Sequence, residues 1–258
     1  MGKVVPFSEI DIYLSSLKPK AIGCLVDTNF LFAALYKGVH PFSEDAEFLF
    51  EKLAEYQIPV FTTVTTRAEL LDLQRRVIIT EALMGIIAPN SNWRITNDVA
   101  KKLRAHKTWV DQEASAGRLP VLTDYRIKET KEVFTPVRAS GKNGWLEICG
   151  EYLGELSDHM VQIEQKLGLN YLQLRGNDSE KQFMTVHPTW EAMHSIVGRT
   201  CMATSDAMLL NVLIHSAFPF IVSADYDIAY GVRAENTEKV ALIPDGLYKN
   251  KIKPLKFT

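Results

Sequence analysis

The chain has 258 residues, of which 47% are hydrophobic and 23% charged, and its formal net charge is -2. It is long enough to bury a real core and has the composition of an ordinary globular protein, which excludes a uniformly basic nucleic-acid binder. No apolar stretch reaches the roughly 18 residues of a membrane span, and the opening MGKVVPFSEIDIY carries no signal-peptide core, so the expectation is a cytoplasmic protein with no membrane partner.

Residues 1–20 read as a leader in which Ser8 caps a brief helix, EIDIYLSSL, stopped by Pro19. The apolar run Ala21–Val26 predicts a strand, which ends on Asp27, Thr28 and Asn29 before an amphipathic helix over Phe30–Tyr36. A second helix, SEDAEFLFEKLAEYQ, opens after Pro41 and ends before Pro59. IPVFTTV is apolar and β-branched, as a strand requires, and runs into the helical pattern TTRAELLDLQRRVIITEALMG. This alternation is that of a parallel α/β sheet.

From about Glu81 to Ser195 strand-like runs are scarce and helical patterns dominate: NDVAKKLRAHKTWVDQEASAG, TDYRIKETKEVF and, predicted as one long helix, GWLEICGEYLGELSDHMVQIEQKLG. Trp93, Trp109, Trp145 and Trp190 all fall here and are expected to build a small core rather than to stack on bases. Charge is polarised as well: Arg94–Lys142 holds 11 Lys and Arg against 6 Asp and Glu, whereas Asn143–Glu180 holds 2 against 7. The α/β pattern resumes with the helix RTCMATSDAMLLNVLIHSAF, the strand FPFIVSA and a last strand, KVALIP. The expected organisation is a leader over 1–20, a discontinuous α/β domain over 21–80 and 196–258, and a helical insertion over 81–195. Cys24, Cys149 and Cys201, odd in number and widely spaced, read as reduced, buried thiols rather than a disulfide frame or a zinc site.

Asp27, Glu69, Asp206 and Asp225 occupy one kind of place in this pattern, at junctions between strand ends and helix starts, with Asp227 nearby. Parallel strands put their carboxyl ends on one edge of the sheet, so acids at those junctions can converge from distant parts of the sequence. Converging carboxylates repel, and a hard divalent cation, Mg²⁺ or Mn²⁺, is the usual neutralising partner. Each acid also has an innocent reading. Thr66 and Glu69 match a capping box, Asp206 suits a helix N-terminus, and Asp27 and Asp225 suit caps or turns.

In the order of these motifs the chain resembles the PIN-domain ribonucleases, a family that includes many bacterial toxin nucleases. The resemblance is carried by VDTNFLFAAL around Asp27, TTRAELL around Glu69, SDAMLLNVLIHS around Asp206 and FIVSADYDI around Ser223 and Asp225. It implies a PIN-like three-layer α/β/α domain with a central, mostly parallel sheet, the helical middle being an insertion. It also implies that Asp27, Asp206 and Asp225 are catalytic metal ligands, that Glu69 holds a metal directly or through water, and that Asn29, Ser223 and Asp227 orient ligands or water. The implied activity is metal-dependent endoribonuclease cleavage through an activated water. Alternatives are a catalytically silent RNA-binding or scaffold protein, or a metal-dependent phosphatase or DNA nuclease. Besides RNA, a protein inhibitor or antitoxin and a second copy of the chain stand open as partners.

A polyanion approaching an acidic site needs cations near it. Arg67, Arg75 and Arg76 lie on the helix of Glu69, and Lys101, Lys102, Arg104 and Lys107 cluster in the insertion, where a solvated face is the plainer reading. TPVRASGKNG reads as a flexible loop whose Arg138 and Lys142 can close on RNA. The histidines show no metal-ligand spacing, and no phosphate-binding glycine loop is present.

Overall fold

The computed structural model describes residues 2–17, 22–36, 40–135, 138–139, 142–174, 178 and 180–255. The elements in order are β1 Lys3–Pro6, α1 Ile10–Ser16, β2 Cys24–Val26, α2 Thr28–Leu35, α3 Ser43–Glu55, β3 Val60–Thr63 and α4 Val64–Ile86. There follow α5 Asn97–Ser115, α6 Asp124–Phe134, β4 Arg138–Ala139, β5 Lys142–Asn143, α7 Gly144–Leu153, α8 Leu156–Lys166 and β6 Leu169–Leu172. The chain closes with α9 Trp190–Thr200, α10 Thr204–His215, β7 Phe220–Val222, α11 Tyr226–Ala234, β8 Val240–Ile243 and helical turns to Ile252. Two compact units result, Met1–Leu70 with Lys166–Thr258, and Leu71–Gln165. Among the described residues no helix is long and apolar enough to cross a membrane.

The first unit is α/β. Its six strands form one sheet in the order β1-β8-β7-β2-β3-β6, and every pairing is parallel. The central strands read as unbroken apolar runs because both faces are covered. Alternate residues show this: Leu25, Ile221, Ala241 and Ile243 join the core formed with α9, α10 and α11, whereas on the other face the Phe220 ring meets Tyr13 of α1 edge-on. Phe30 of α2 likewise packs against Phe7 and Phe50. Entry into β2 is through Gly23, whose φ of 149° and closeness to the Phe61 ring, 2.6 Å from any added β-carbon, leave room for no side chain.

Two strands of this sheet lie where none was predicted. Lys3–Pro6, within the stretch read as a leader, is an edge strand paired with β8. Leu169–Leu172 is the opposite edge, paired with β3, in a region whose pattern looked helical. The expected helix from Arg199 is also divided. α9 ends at Cys201, which takes the left-handed conformation at φ 57° and donates its N–H to the Val197 carbonyl, and α10 starts afresh at Thr204.

The second unit is helical. Ile79, Leu83 and Ile86 of α4 form a core with Val99, Leu103, Ile127, Phe134, Trp145 and Ile148. Trp145 is buried in it, and Trp93 and Trp109 pack against it, whereas Trp190 belongs to α9 of the first unit and is exposed. The single long helix predicted from Gly144 is two, α7 and α8, broken after Leu153. Gly154 sits at the break, where a β-carbon would lie 2.7 Å from the Gly150 carbonyl oxygen. The described part of the expected flexible loop forms a two-residue antiparallel ladder, β4 with β5, and Asn143 at its end caps α7. The side chains of Arg138 and Lys142 lie outside the described ones, as do Pro19 and Ala21.

The cysteines are free but differ in burial: Cys24 is buried, Cys149 half-buried and Cys201 exposed, so the expectation of three buried thiols is corrected. Cys201 follows the last turn of a surface helix rather than entering the core.

Candidate functional site

Chain order reverses across the sheet between β2 and β7: from β2 the chain builds outward through β3 to β6, and β7 and β8 are added on the other side. In open parallel sheets the carboxyl ends of the strands at such a reversal form a crevice. Asp27 and Ser223 are the first residues beyond β2 and β7. Their N–H groups extend the ladders, Asp27 to the Val222 carbonyl at 3.0 Å and Ser223 to the Leu242 carbonyl at 3.1 Å. This register brings the Ser223 hydroxyl to the Asp27 carboxylate, donating to Oδ2 at 2.8 Å, while the Thr28 N–H donates to Oδ1 at 2.6 Å.

Asp27 is only 2% exposed. It caps α2, and Asp225 caps α11 by accepting the Asp227 N–H at 2.7 Å, so the innocent reading is correct for these two as far as it goes. It also fits Asp206, which stands in the first turn of α10 and follows helix α9 rather than the strand end expected for it, but it does not account for Glu69. Glu69 makes no capping box; Thr63 takes that role, its hydroxyl accepting the Thr66 N–H, and Glu69 instead accepts the Thr28 hydroxyl at 2.7 Å. Asp206 lies in the first turn of α10, whose cap is Ala203. The Asn29 amide donates to Asp225 Oδ2 at 3.1 Å, and the Asp225 N–H donates to Ser223 at 2.9 Å.

Electrostatics joins the acids. Burial pushes Asp27 up to about 7 from an ordinary 3.8, with the charges of Asp225 and Asp206 adding to the rise and the Ser223 and Thr28 hydrogen bonds opposing it. Asp206 is pushed up to about 6 by burial and then by Asp225, Glu69 and Asp227. The charges acting on these two groups are carboxylates, and among the described residues no ion pair neutralises any of the five acids. An assembly of oxygen donors that repel one another, with Asp27 buried, Glu69, Asp206 and Asp225 half-buried and Asp227 exposed, fits a hard divalent cation in donor type and in charge. As the side chains stand, however, no group of three or more His, Cys, Asp or Glu among the described residues is arranged to hold one ion.

Asp27, Glu69, Asp206, Asp225, Asp227, Asn29 and Ser223 thus belong to one unit and one electrostatic or hydrogen-bonded set. Arg67, in the same unit, lies over the Tyr171 ring. Arg75 and Arg76 belong to the helical unit, where Arg75 pairs with Asp72 and Asp124 and Arg76 donates to the Leu122 carbonyl. In the expected basic cluster, Lys107 pairs with Asp111 one turn along α5, as a solvated helix face does, whereas half-buried Lys102 pairs across to Glu129 of α6. Two further side chains of this edge carried no distinct signal in the sequence. Thr28 stood out only as part of the turn, and Tyr171 lay in a stretch without a strand signal. No family model, curated protein or solved structure matches the chain.

Proposed function

We propose that the chain is a metal-dependent ribonuclease built on a PIN-like three-layer α/β/α domain, hydrolysing RNA phosphodiester bonds at Asp27, Glu69, Asp206 and Asp225. The observation that carries this reading is the mutual electrostatic pressure of four acids, Asp27 and Asp225 after β2 and β7, Glu69 early in α4 and Asp206 in the first turn of α10, with Asp27 and Asp206 pushed up from the ordinary carboxylate value. Bound Mg²⁺ or Mn²⁺ would supply a water acidified for attack at phosphorus and positive charge for the leaving oxygen.

The chain's own residues prepare that chemistry. Ser223 and the Thr28 N–H fix the two Asp27 oxygens, and Asn29 and the Asp227 N–H fix those of Asp225. Each oxygen retains a further lone pair for a cation. Thr28 holds Glu69 Oε2 and leaves Oε1 for ligation or for a water. With Asp27 pushed up to about 7 and Asp206 to about 6, Asp27 keeps its proton in part near neutral pH and Asp206 does so only below it; metal binding would displace the protons still held, so loading would be pH-dependent.

Purified protein with Mn²⁺ or Mg²⁺ should cut single-stranded RNA, and Asp225→Asn should stop cleavage while keeping the fold. Cleavage that survives in the variant assigns the activity elsewhere. Because no three ligands stand assembled, a catalytically silent RNA-binding protein is the second reading. It is the one left if RNA is bound but never cut.

A further inference from the structure

Arg67 and Glu69 are two positions apart in the first turns of α4, so their side chains leave the helix on opposite sides. Glu69 turns toward the β2 side, where it meets Thr28. Arg67 turns toward β6, and its guanidinium carbon lies 4.2 Å from the centroid of the Tyr171 ring. Tyr171 pairs in register with Thr62, one residue before β3 ends and α4 begins, so it too lies at the carboxyl edge of the sheet. Along that edge the order is Asp225 after β7, Asp27 after β2, Glu69 and Arg67 after β3, and Tyr171 on β6. The anionic centre gives way, within two strand spacings of about 4.8 Å each, to a cation laid on an aromatic ring.

Arg67 and Tyr171 are both partly exposed. A stacked guanidinium–tyrosine pair offers π surface for an unpaired base and N–H donors for the phosphate of the same nucleotide. In a duplex the base faces are covered by their neighbours, so paired strands cannot use such a surface. Of the three arginines singled out on this helix, Arg67 is the one that shares a unit with the acids.

We propose that the Arg67–Tyr171 stack is a nucleotide subsite that selects single-stranded nucleic acid, seating an unpaired base next to the phosphodiester presented to the four acids. The proposal rests on the phosphodiesterase reading of those acids. The base lies against the stack, and Arg67 reaches its phosphate. Since every base has a π face, the subsite separates unpaired from paired strands and is indifferent to base identity.

The test is fluorescence anisotropy of the full chain in EDTA, with a labelled oligouridylate and a labelled RNA duplex of equal length as probes. Wild type should prefer the single strand. Tyr171→Ala should weaken single-strand binding by about tenfold, leave duplex binding unchanged, and be matched by Tyr171→Leu, whereas Tyr171→Phe should stay within about twofold of wild type. Arg67→Ala should also weaken binding and reduce the salt slope by about one. Melting temperatures of the same samples separate lost binding from lost fold, Tyr171→Leu preserving bulk if the alanine variant melts early. Equal affinity for the two probes, no loss in the properly folded Tyr171→Leu protein, or an equal loss in Tyr171→Phe would overturn the proposal, as would a wild type that binds neither probe. The Mn²⁺-induced rise in melting temperature of wild type reports on the acids separately. If it is present while the Tyr171 variants bind normally, the subsite falls alone; if it is absent while they lose binding, the phosphodiesterase reading falls, and with it the seating beside the acids, and the stack stands only as a single-strand binding site.

Discussion

Replacing Asp27 with asparagine should stabilise the metal-free protein at pH 8. The carbonyl of the introduced amide can still accept the Thr28 N–H, and its amino group can donate to the Ser223 oxygen once that hydroxyl turns, so the hydrogen bonds of the site survive. What disappears is a buried charge among like charges. A carboxyl raised from 3.8 to about 7 on folding destabilises the ionised native state by about 4 kcal/mol at most. Half of that, about 2 kcal/mol, would move the melting temperature by about 4–8 °C in a chain of this size. The sign with pH follows from linkage. The folded-state value lies above the unfolded one, so the native state binds more protons, and wild-type stability falls as pH rises from about 4 to about 7. The variant lacks this slope, and the two proteins should converge near pH 4. Thermal melts in EDTA across pH 4–8 measure the difference directly. A variant less stable than wild type at pH 8, or an offset that does not change with pH, would mean that Asp27 carries no buried charge for the substitution to relieve.

Metal should reverse the picture. Millimolar Mn²⁺ or Mg²⁺ should raise the wild-type melting temperature at pH 8, and much less at pH 5, where Asp27 and Asp206 retain protons; an equal rise at both pH values would mean binding elsewhere. Ser223→Ala removes the donor to Asp27 Oδ2 and should lower metal affinity about 10–100-fold, read by Mn²⁺ titration, with the fold intact. Thr28→Val removes the hydroxyl that holds Glu69 and should cut RNA cleavage more than it cuts RNA binding. Gly154→Ala should destabilise the helical unit, since the new methyl must displace the Gly150 carbonyl; unchanged melting would show that the break relaxes freely.

What the sequence reveals of this protein divides along a physical line. β2, β3, β7 and β8 are buried on both faces, and such strands announce themselves as apolar runs. β6 is four residues long, carries Asn170 and is half exposed, so it exists only through pairing with β3, which local pattern does not encode. β1 ends in Pro6 and likewise depends on its partner β8. In the site, the places of Asp27 after β2, Glu69 early in α4 and Asp225 after β7 were legible, because parallel topology puts those strand ends on one edge, whereas Asp206 follows helix α9 and is joined to them by its electrostatics rather than by strand order. The bond from Thr28 to Glu69 was not legible, since Thr66 offered a local capping partner and Thr63, which displaces it, has no distinguishing pattern. The helix break at Gly154 was hidden for a similar reason: the apolar spacing continues across it while the backbone does not.

On the proposed function, Asp27, Glu69, Asp206 and Asp225 share a divalent cation. Titration of the protein with Mn²⁺ at pH 8, followed by the electron paramagnetic resonance signal of the free ion, tests it most directly. Stoichiometric loss of free Mn²⁺ in wild type, abolished in Asp225→Asn, is the predicted result. Free Mn²⁺ that rises in step with added Mn²⁺ through the millimolar range, or identical titrations for the two proteins, would contradict it.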